Sequence, residues 1–441
     1  MIDKRVSTSK SLFEAILLSA TASLLFVFVY GWCNAFASNR ADLGKCFFSW
    51  ELRIPFVPIF IVPYLSIDLF FVASFLVCAN RVELREHAGR IALAILIAGV
   101  AFMVFPLTVG YGRPDVSGWT GSLFHFLWSF DKPHNLAPSL HIALASLLWP
   151  VYARRAEGTL RWLVHGWFAL IVASPILTWQ HHLLDVATGV MLGQVCLFVV
   201  PLRRDLTGDR CAARKLEFSS PNFRFSAYYA TGSAVLGVLA IAFGSWFWLL
   251  LWPAFSLALI AIAYARGSSS VFRKTSGRLP ISTRFVLGPY LFGMFVRLLI
   301  YRPRSKRWVE AAPGVYCGRL LTRREALELK TMGVTSVLDL TAEHAETRVF
   351  LETAYLNVPV LDLTRPSEDQ IASAVAFISE HAGRGGVYVH CALGISRSAA
   401  VVAAYLAAVR GLPVDLWLNP GRRRIRGWEE GLAPALRESD L

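Results

Sequence analysis

Eight apolar runs, each close to the length that crosses about 30 Å of hydrocarbon, recur through the first 265 residues of this chain. They fall near 13–32, 57–78, 91–108, 138–153, 161–180, 183–202, 226–243 and 245–264. Composition agrees. Charged residues make up 17% of the 441 and mean hydropathy is +0.49, whereas soluble domains carry about 25% charged residues. Part of the chain must therefore bury apolar surface in lipid, which excludes a purely soluble enzyme and a disordered regulator. The first run is too long for a cleaved signal peptide, and Asn34 to Asn39 offers no clear cleavage site.

The formal charge of +14 raises the question of nucleic acid. In so hydrophobic a chain the basic residues flank spans and meet anionic lipid, and no nucleic-acid partner is expected. Lys and Arg number fifteen in one set of alternate loops, from Lys4 to Arg224, and five in the other: Arg40, Lys45, Arg53, Arg113 and Lys132. That bias puts both termini in the cytoplasm, with an even number of spans. Phe285 to Val296, about 12 apolar residues between Arg284 and Arg297, is too short to span and reads as re-entrant or interfacial. Residues 1–205 thus read as a six-span membrane domain, 206–304 as two further spans with the interfacial segment, and 305–441 as a cytoplasmic domain. Seven cysteines without a C-x-x-C pair make neither a disulfide scaffold nor a zinc ribbon. Cys33 and Cys46 share an extracytoplasmic loop and can pair. Asp68, near the middle of the second span, is expected to hydrogen-bond a neighbouring helix.

After Arg302, Arg304, Lys306 and Arg307 the composition becomes that of an ordinary α/β domain. Strands are expected at Ser336–Leu340, Asn357–Leu361 and Gly386–His390, and helices near 321–332, 367–382 and 396–410. The helix after Pro366 carries a capping box, Ser367 with Gln370, and Gly383 is a natural stop. Within this region His390-Cys391-Ala392-Leu393-Gly394-Ile395-Ser396-Arg397-Ser398 joins an apolar strand directly to a helix. Such a junction suits a phosphate cradle. Backbone N–H groups of residues 392 to 397 (Ala392, Leu393, Gly394, Ile395, Ser396 and Arg397) can converge on one anion, helped by the positive helix end. The same dipoles favour a Cys391 thiolate nucleophile. Arg397 offers a planar fork for two phosphate oxygens, and Ser398 can donate to the leaving thiolate. An acid must serve the leaving oxygen. Asp362, at the end of a predicted strand, is preferred. Glu368 and Asp369 are rivals, but they sit in a first helical turn where acidic residues have a dipole reason to exist.

The stretch from about 305 to 436 resembles the dual-specificity branch of the protein tyrosine phosphatase superfamily, through PGVYCGRL, VTSVLDLTAE, VPVLDLT and VHCALGISRSAAVVAAYL. It is also similar to mitochondrial phosphatases acting on phosphatidylglycerophosphate. The resemblance implies a phosphocysteine intermediate, no metal or cofactor, and Cys391, Arg397 and Asp362 in the roles just given. Loop residues 392, 393, 395 and 396 are uncharged, which argues against a polyphosphorylated inositol headgroup.

A second constellation lies at the extracytoplasmic ends of the predicted spans: Arg113-Pro114, then Pro138-Ser139-Leu140-His141, then Gln180-His181-His182-Leu183-Leu184-Asp185. Ionisable residues there are costly and so informative. His181 and Asp185, four apart, share a helix face, so Asp185 can hold one imidazole nitrogen and leave the other as a nucleophile. His141 can protonate the departing oxygen, and Arg113 can hold the phosphoryl group. His182 reads as a neighbour rather than a ligand.

This pattern resembles the type 2 phosphatidic acid phosphatase superfamily over roughly 100–200, closer to its inositol phosphorylceramide synthase-like branch. The resemblance implies His181 as nucleophile, Asp185 as orienter, His141 as acid, and Arg113 with Ser139 as phosphate ligands. Pro106 and Pro175 stand where that superfamily has phosphate-binding cations, and Leu140 where it has glycine. Fewer cations favour phosphotransfer or diester cleavage beside monoester hydrolysis.

The expected architecture is multi-domain: an N-terminal polytopic all-α transmembrane bundle and a C-terminal α/β cysteine-phosphatase domain. It resembles bifunctional bacterial inner-membrane proteins with that domain order. Expected partners are membrane phospholipids and a phosphorylated protein. The alternative is that the membrane half only anchors a protein tyrosine or dual-specificity phosphatase.

Overall fold

The computed structural model describes residues 11–40, 43–201 and 216–409. The basic residues Lys4, Arg5, Lys10, Arg203, Arg204, Arg210, Arg214 and Lys215, which weighed in the charge count, lie outside the described residues. The chain divides into two compact units, Met1–Leu206 and Thr207–Leu441.

The first unit is helical: α1 (Leu12–Ser38), α2 (Ile61–Val77), α3 (Arg81–Val104), α4 (Gly118–Phe130), α5 (Leu140–Ala153), α6 (Gly158–Leu177) and α7 (Leu183–Val199). Asn80 starts α3 by accepting the Glu83 N–H at 2.9 Å, a standard N-cap. α3 ends just ahead of Phe105-Pro106, since proline disfavours helix at the residue before it. The short helix α4 falls in what the apolar pattern leaves as loop. On α2 the buried residues Tyr64, Ile67, Phe71, Ser74 and Phe75 form one stripe. Asp68, on the same helix, is exposed, and among the described residues it makes no hydrogen bond to a neighbouring helix, so the expected bond is not formed. Cys33 and Cys46 are free thiols. The Cys33 thiol is buried and donates to the Gly99 carbonyl at 3.5 Å.

The second unit begins with an α8 (Phe223–Phe243) and α9 (Leu251–Arg266) hairpin. α9 stops at Gly267, a left-handed cap at φ 62°. Two helices follow, α10 (Ile281–Val286) and α11 (Gly288–Tyr301). The apolar run read as ending before Arg297 thus continues as helix to Tyr301, and Arg297 sits inside it. Among the described residues of the whole chain, six helices are long and apolar enough to cross a membrane; α5 and α7, with 14 and 17 residues, are shorter.

The remainder is an α/β domain: β1 (Trp308–Ala312), β2 (Val315–Arg319), α12 (Arg323–Thr331), β3 (Val334–Thr341), α13 (Arg348–Leu351), β4 (Ala354–Val360), α14 (Glu368–His381), β5 (Gly386–Cys391) and α15 (Arg397–Val409). The sheet order is β1-β2-β5-β3-β4, with β1 and β2 antiparallel and the other pairings parallel. Alternation along the strands builds two cores. Leu338, Leu340, Val387 and Val389 pack on Ala374, Ile378, Val401 and Val402. On the opposite face Val337 and Tyr388 pack on Ala326, Leu329 and Phe350. The capping box forms as read: Gln370 N–H donates to Ser367 Oγ, and the Ser367 N–H donates to Gln370 Oε1 at 2.9 Å. The β1–β2 hairpin and α13 were not anticipated by periodicity. Parallel strands bring the C-terminal ends of β3, β4 and β5 together at one edge, where ligand sites of such sheets gather.

Candidate active site

β5 carries Cys391 to that edge, and the chain turns through residues 392 to 396 into α15. Gly394 makes the turn possible. It sits at φ 74°, and a Cβ there would lie 2.7 Å from the Gly318 carbonyl carbon. Its N–H donates to Cys391 Sγ at 3.2 Å, and Ser398 Oγ lies 3.4 Å from the same sulfur. Cys391 and Arg397 are both buried. Burial by itself would push the Cys391 thiol up. The Arg397 charge, the Ser398 hydroxyl and the backbone N–H groups of Ser398 and Gly394 outweigh it and hold the thiol below its ordinary value. Ala392, Leu393, Ile395 and Ser396 line the turn, with Ile395 and Ser396 exposed.

Arg397 is fixed from several sides. Nη1 donates to Glu343 Oε2 at 3.0 Å and to the Val360 carbonyl at 2.8 Å, and Nη2 donates to Glu343 Oε1 at 2.7 Å. Nη2 also lies 3.1 Å from Asp362 Oδ1. Of the three candidate acids, Asp362 is the one beside the arginine. Glu368 and Asp369 are exposed in the first turn of α14. Asp362 Oδ2 is paired with Arg297 of α11. A sulfur whose ionisation Arg397 favours, and a guanidinium with a carboxyl 3.1 Å from it, are groups that can attack a phosphoryl group, hold its oxygens and protonate what leaves.

A model of the dual specificity phosphatase catalytic domain matches residues 316–418. The chain is 32% identical over 155 residues to human "Dual specificity protein phosphatase 26", an alignment covering 31% of this chain and 72% of that protein. The chain belongs to the dual-specificity phosphatase family. It is also 33% identical over 114 residues to human "Dual specificity protein phosphatase 12", spanning 24% of this chain and 33% of that protein. With human "Dual specificity protein phosphatase 22" the identity is 32% over 125 residues, spanning 27% and 58%. The residues that the family model matches include β3 and β5 of the mixed sheet, whose fold fits a dual-specificity phosphatase.

Three charged residues that pair with groups at this edge of the sheet escaped sequence reading. Glu343 follows the end of β3, and an acid just past a predicted strand was the available signal. Arg297 was read only as the flank of an apolar run. Lys274, buried, donates to Asp339 and to Thr341 O at 2.9 Å. Asp339, Glu346 and His390 offer ligand atoms within 4.8 Å of one another. The Lys274 ammonium on Asp339 already supplies positive charge there.

In the first unit, Arg113 and His181 line one cavity of about 20 Å³ together with Tyr30, Asp131, Asn135 and Trp179, room for about one water. Arg113 Nη2 donates to the Asp131 carbonyl at 2.9 Å, and Tyr30 Oη donates to Asp131 Oδ1 at 2.6 Å. Ser139, His141 and Asp185 are not among the cavity's lining. Ser139 caps α5 and its N–H donates to the Asp185 carbonyl at 3.0 Å. His141 stacks on Tyr64 at 4.4 Å, and its Nε2 donates to the Ile171 carbonyl at 3.2 Å.

Asp185 accepts the His182 N–H at 2.8 Å, capping α7. His181 Nδ1 stands 3.5 Å from its Oδ2 and makes no hydrogen bond. The expected orienting bond is therefore replaced by a helix cap, whose backbone donor competes for the same oxygen. At His182 the Gly110 N–H donates to Nε2 at 2.9 Å, and Nδ1 donates to buried Glu51 at 3.3 Å. Glu51 and Asp131 were missed, because nothing in their flanking sequence marks them.

Proposed function

We propose that the C-terminal domain is a cysteine-dependent phosphomonoester hydrolase acting at a membrane surface, with a phospholipid monoester as substrate. The arrangement of Cys391, Arg397 and Asp362 carries the chemistry. Cys391 sulfur attacks phosphorus while the bond to the leaving oxygen breaks. That oxygen keeps the electron pair and takes a proton from Asp362, giving an alcohol and a phosphocysteine. Water then attacks phosphorus, Asp362 takes its proton, and inorganic phosphate leaves with the thiolate restored. Arg397 and the loop N–H groups bear the charge of the phosphoryl oxygens throughout.

The lipid assignment is supported by α11. It exposes Phe292, Phe295, Leu299 and Ile300 while its Arg297 reaches Asp362, so an apolar helix surface lies one side chain from the acid. The uncharged loop residues suit a single phosphate. Together with the candidate spans and the charge bias of the loops, this supports a multi-pass inner-membrane protein with the phosphatase domain in the cytoplasm. A phosphorylated protein is the competing substrate.

For the first unit we propose histidine-dependent hydrolysis or transfer of a lipid phosphate on the extracytoplasmic side, supported by His181 and Arg113 lining one cavity. The anchor reading draws on the other observation there, that the Asp185 carboxylate serves the α7 cap. Cys391→Ser and His181→Ala variants, assayed on a phospholipid panel and a phosphotyrosine peptide, test both readings. Loss of phospholipid monoester turnover in Cys391→Ser supports the cytoplasmic reading, and loss of peptide turnover alone overturns its lipid assignment. A lipid profile unchanged in His181→Ala favours the anchor.

A further inference from the structure

The segment bearing Asp362 is held from outside the phosphatase domain. Residues 361–365 turn with Leu363 at φ 56°, a conformation costly for leucine that persists only where the surroundings impose it. Those surroundings come from the helical part of the second unit. Tyr264 Oη, at the end of α9, donates to the Asp362 carbonyl at 2.9 Å. Thr364 Oγ1 bonds Ser219 Oγ at 3.1 Å, and the Ser220 N–H donates to the Arg365 carbonyl at 3.1 Å. Arg297 of α11 takes the Asp362 carboxylate itself.

We propose that Arg297 and Tyr264 are positioning residues for the general acid, so that the helical hairpin and α11 are part of the phosphatase machinery. This rests on the reading of Asp362 as that acid. The two carboxylate oxygens have different tasks. Oδ2 is tied to Arg297, and Oδ1 faces Arg397 at 3.1 Å and hence the phosphate cradle. When a phosphoryl oxygen takes the place of Oδ1 on Arg397, Oδ1 is the oxygen left to carry the proton toward the leaving group. Arg297 fixes the direction of that transfer, and Tyr264 fixes the backbone beneath it. A misdirected acid costs most where the leaving group needs a proton most.

The test compares full-length wild type, Arg297→Met, Arg297→Lys, Tyr264→Phe and Asp362→Asn on p-nitrophenyl phosphate and phenyl phosphate, with the Cys391→Ser rate subtracted. Arg297→Met is expected to lower kcat for phenyl phosphate at least about tenfold and for p-nitrophenyl phosphate far less. Tyr264→Phe should follow in the same direction, and Arg297→Lys should recover part of the loss. Equal losses on both substrates, or a gain in Arg297→Met, overturn the proposal, since the first is a general structural defect and the second an inhibitory latch. Asp362→Asn separates the two levels. If it shows the leaving-group split and neither positioning variant does, the positioning role falls alone. If Asp362→Asn shows no split, the acid assignment falls and takes the positioning role with it.

Discussion

Glu343 grips Arg397 at two points, Oε1 to Nη2 at 2.7 Å and Oε2 to Nη1 at 3.0 Å, with both side chains 1% exposed. The carboxylate just past β3 therefore sets the plane of the guanidinium that opens α15. Burial alone would push the Glu343 carboxyl up, and the Arg397 charge reverses this and holds it well below the usual carboxylate range. Removing one partner of such a pair strands the other charge, at about 3–5 kcal/mol. Glu343→Ala is expected to lose stability of that order in chemical unfolding and to lose phosphatase turnover. The pH sign follows from the lowered value. The pair's contribution is present above the unfolded carboxyl value of about 4.3 and is lost as pH falls through the lower folded one. In acid titration of unfolding, wild type should lose more stability than Glu343→Gln.

Lys274, 1% exposed against Asp339 at 0%, is a second buried pair, joined by Tyr355 Oη at 2.7 Å from Asp339 Oδ2. Lys274→Met is expected to destabilise the second unit by about 3–5 kcal/mol, read by denaturant midpoint. A double variant Lys274→Met, Asp339→Asn should recover part of that loss, because the uncompensated charge is gone.

The Cys391 thiol is held low by Arg397, Ser398 and loop N–H groups acting against burial. Its alkylation by iodoacetamide should therefore have a pH midpoint below about 8.5, the ordinary thiol value. Ser398→Ala removes one of the groups that favour the thiolate and should move the midpoint upward. A midpoint unchanged in that variant would show that the hydroxyl at 3.4 Å contributes nothing.

α5 and α7 meet across small residues. A Cβ on Gly189 would stand 2.5 Å from the Ser139 carbonyl oxygen and 2.9 Å from Ile142 Cβ, and one on Gly193 would stand 2.5 Å from Ser146 Cβ. Close helix approach of this kind depends on glycine. Gly189→Val is expected to destabilise the first unit by about 1–3 kcal/mol, measured by thermal unfolding in detergent, and to shift the Ser139 cap.

The phosphatase loop was legible because all its parts are consecutive: strand, cysteine, turn glycine, arginine and helix lie within 24 residues, from Gly386 to Val409. The capping box at Ser367 was legible for the same reason. The β1–β2 hairpin was not, since five-residue strands with a bulge between Glu310 and Ala312 carry too little alternation to register. In the first unit, residue types and spacing brought out His181 and Arg113. The competition for Asp185 between an imidazole and a backbone N–H is a matter of tenths of an ångström, which spacing cannot convey.

Local order along the chain determined the apolar helices, the cysteine cradle and the acid's candidates, because each depends on neighbours a few residues apart. Only the tertiary structure decided which acid stands beside Arg397, that Glu343 locks that arginine, and that Arg297 and Tyr264, separated from Asp362 by 65 and 98 residues, hold it in place. Those pairings come from parallel strands sharing one edge and from helices packed beside it. Coulombic and hydrogen-bond contacts act through space, and proximity in space between distant segments is a property of the packed fold.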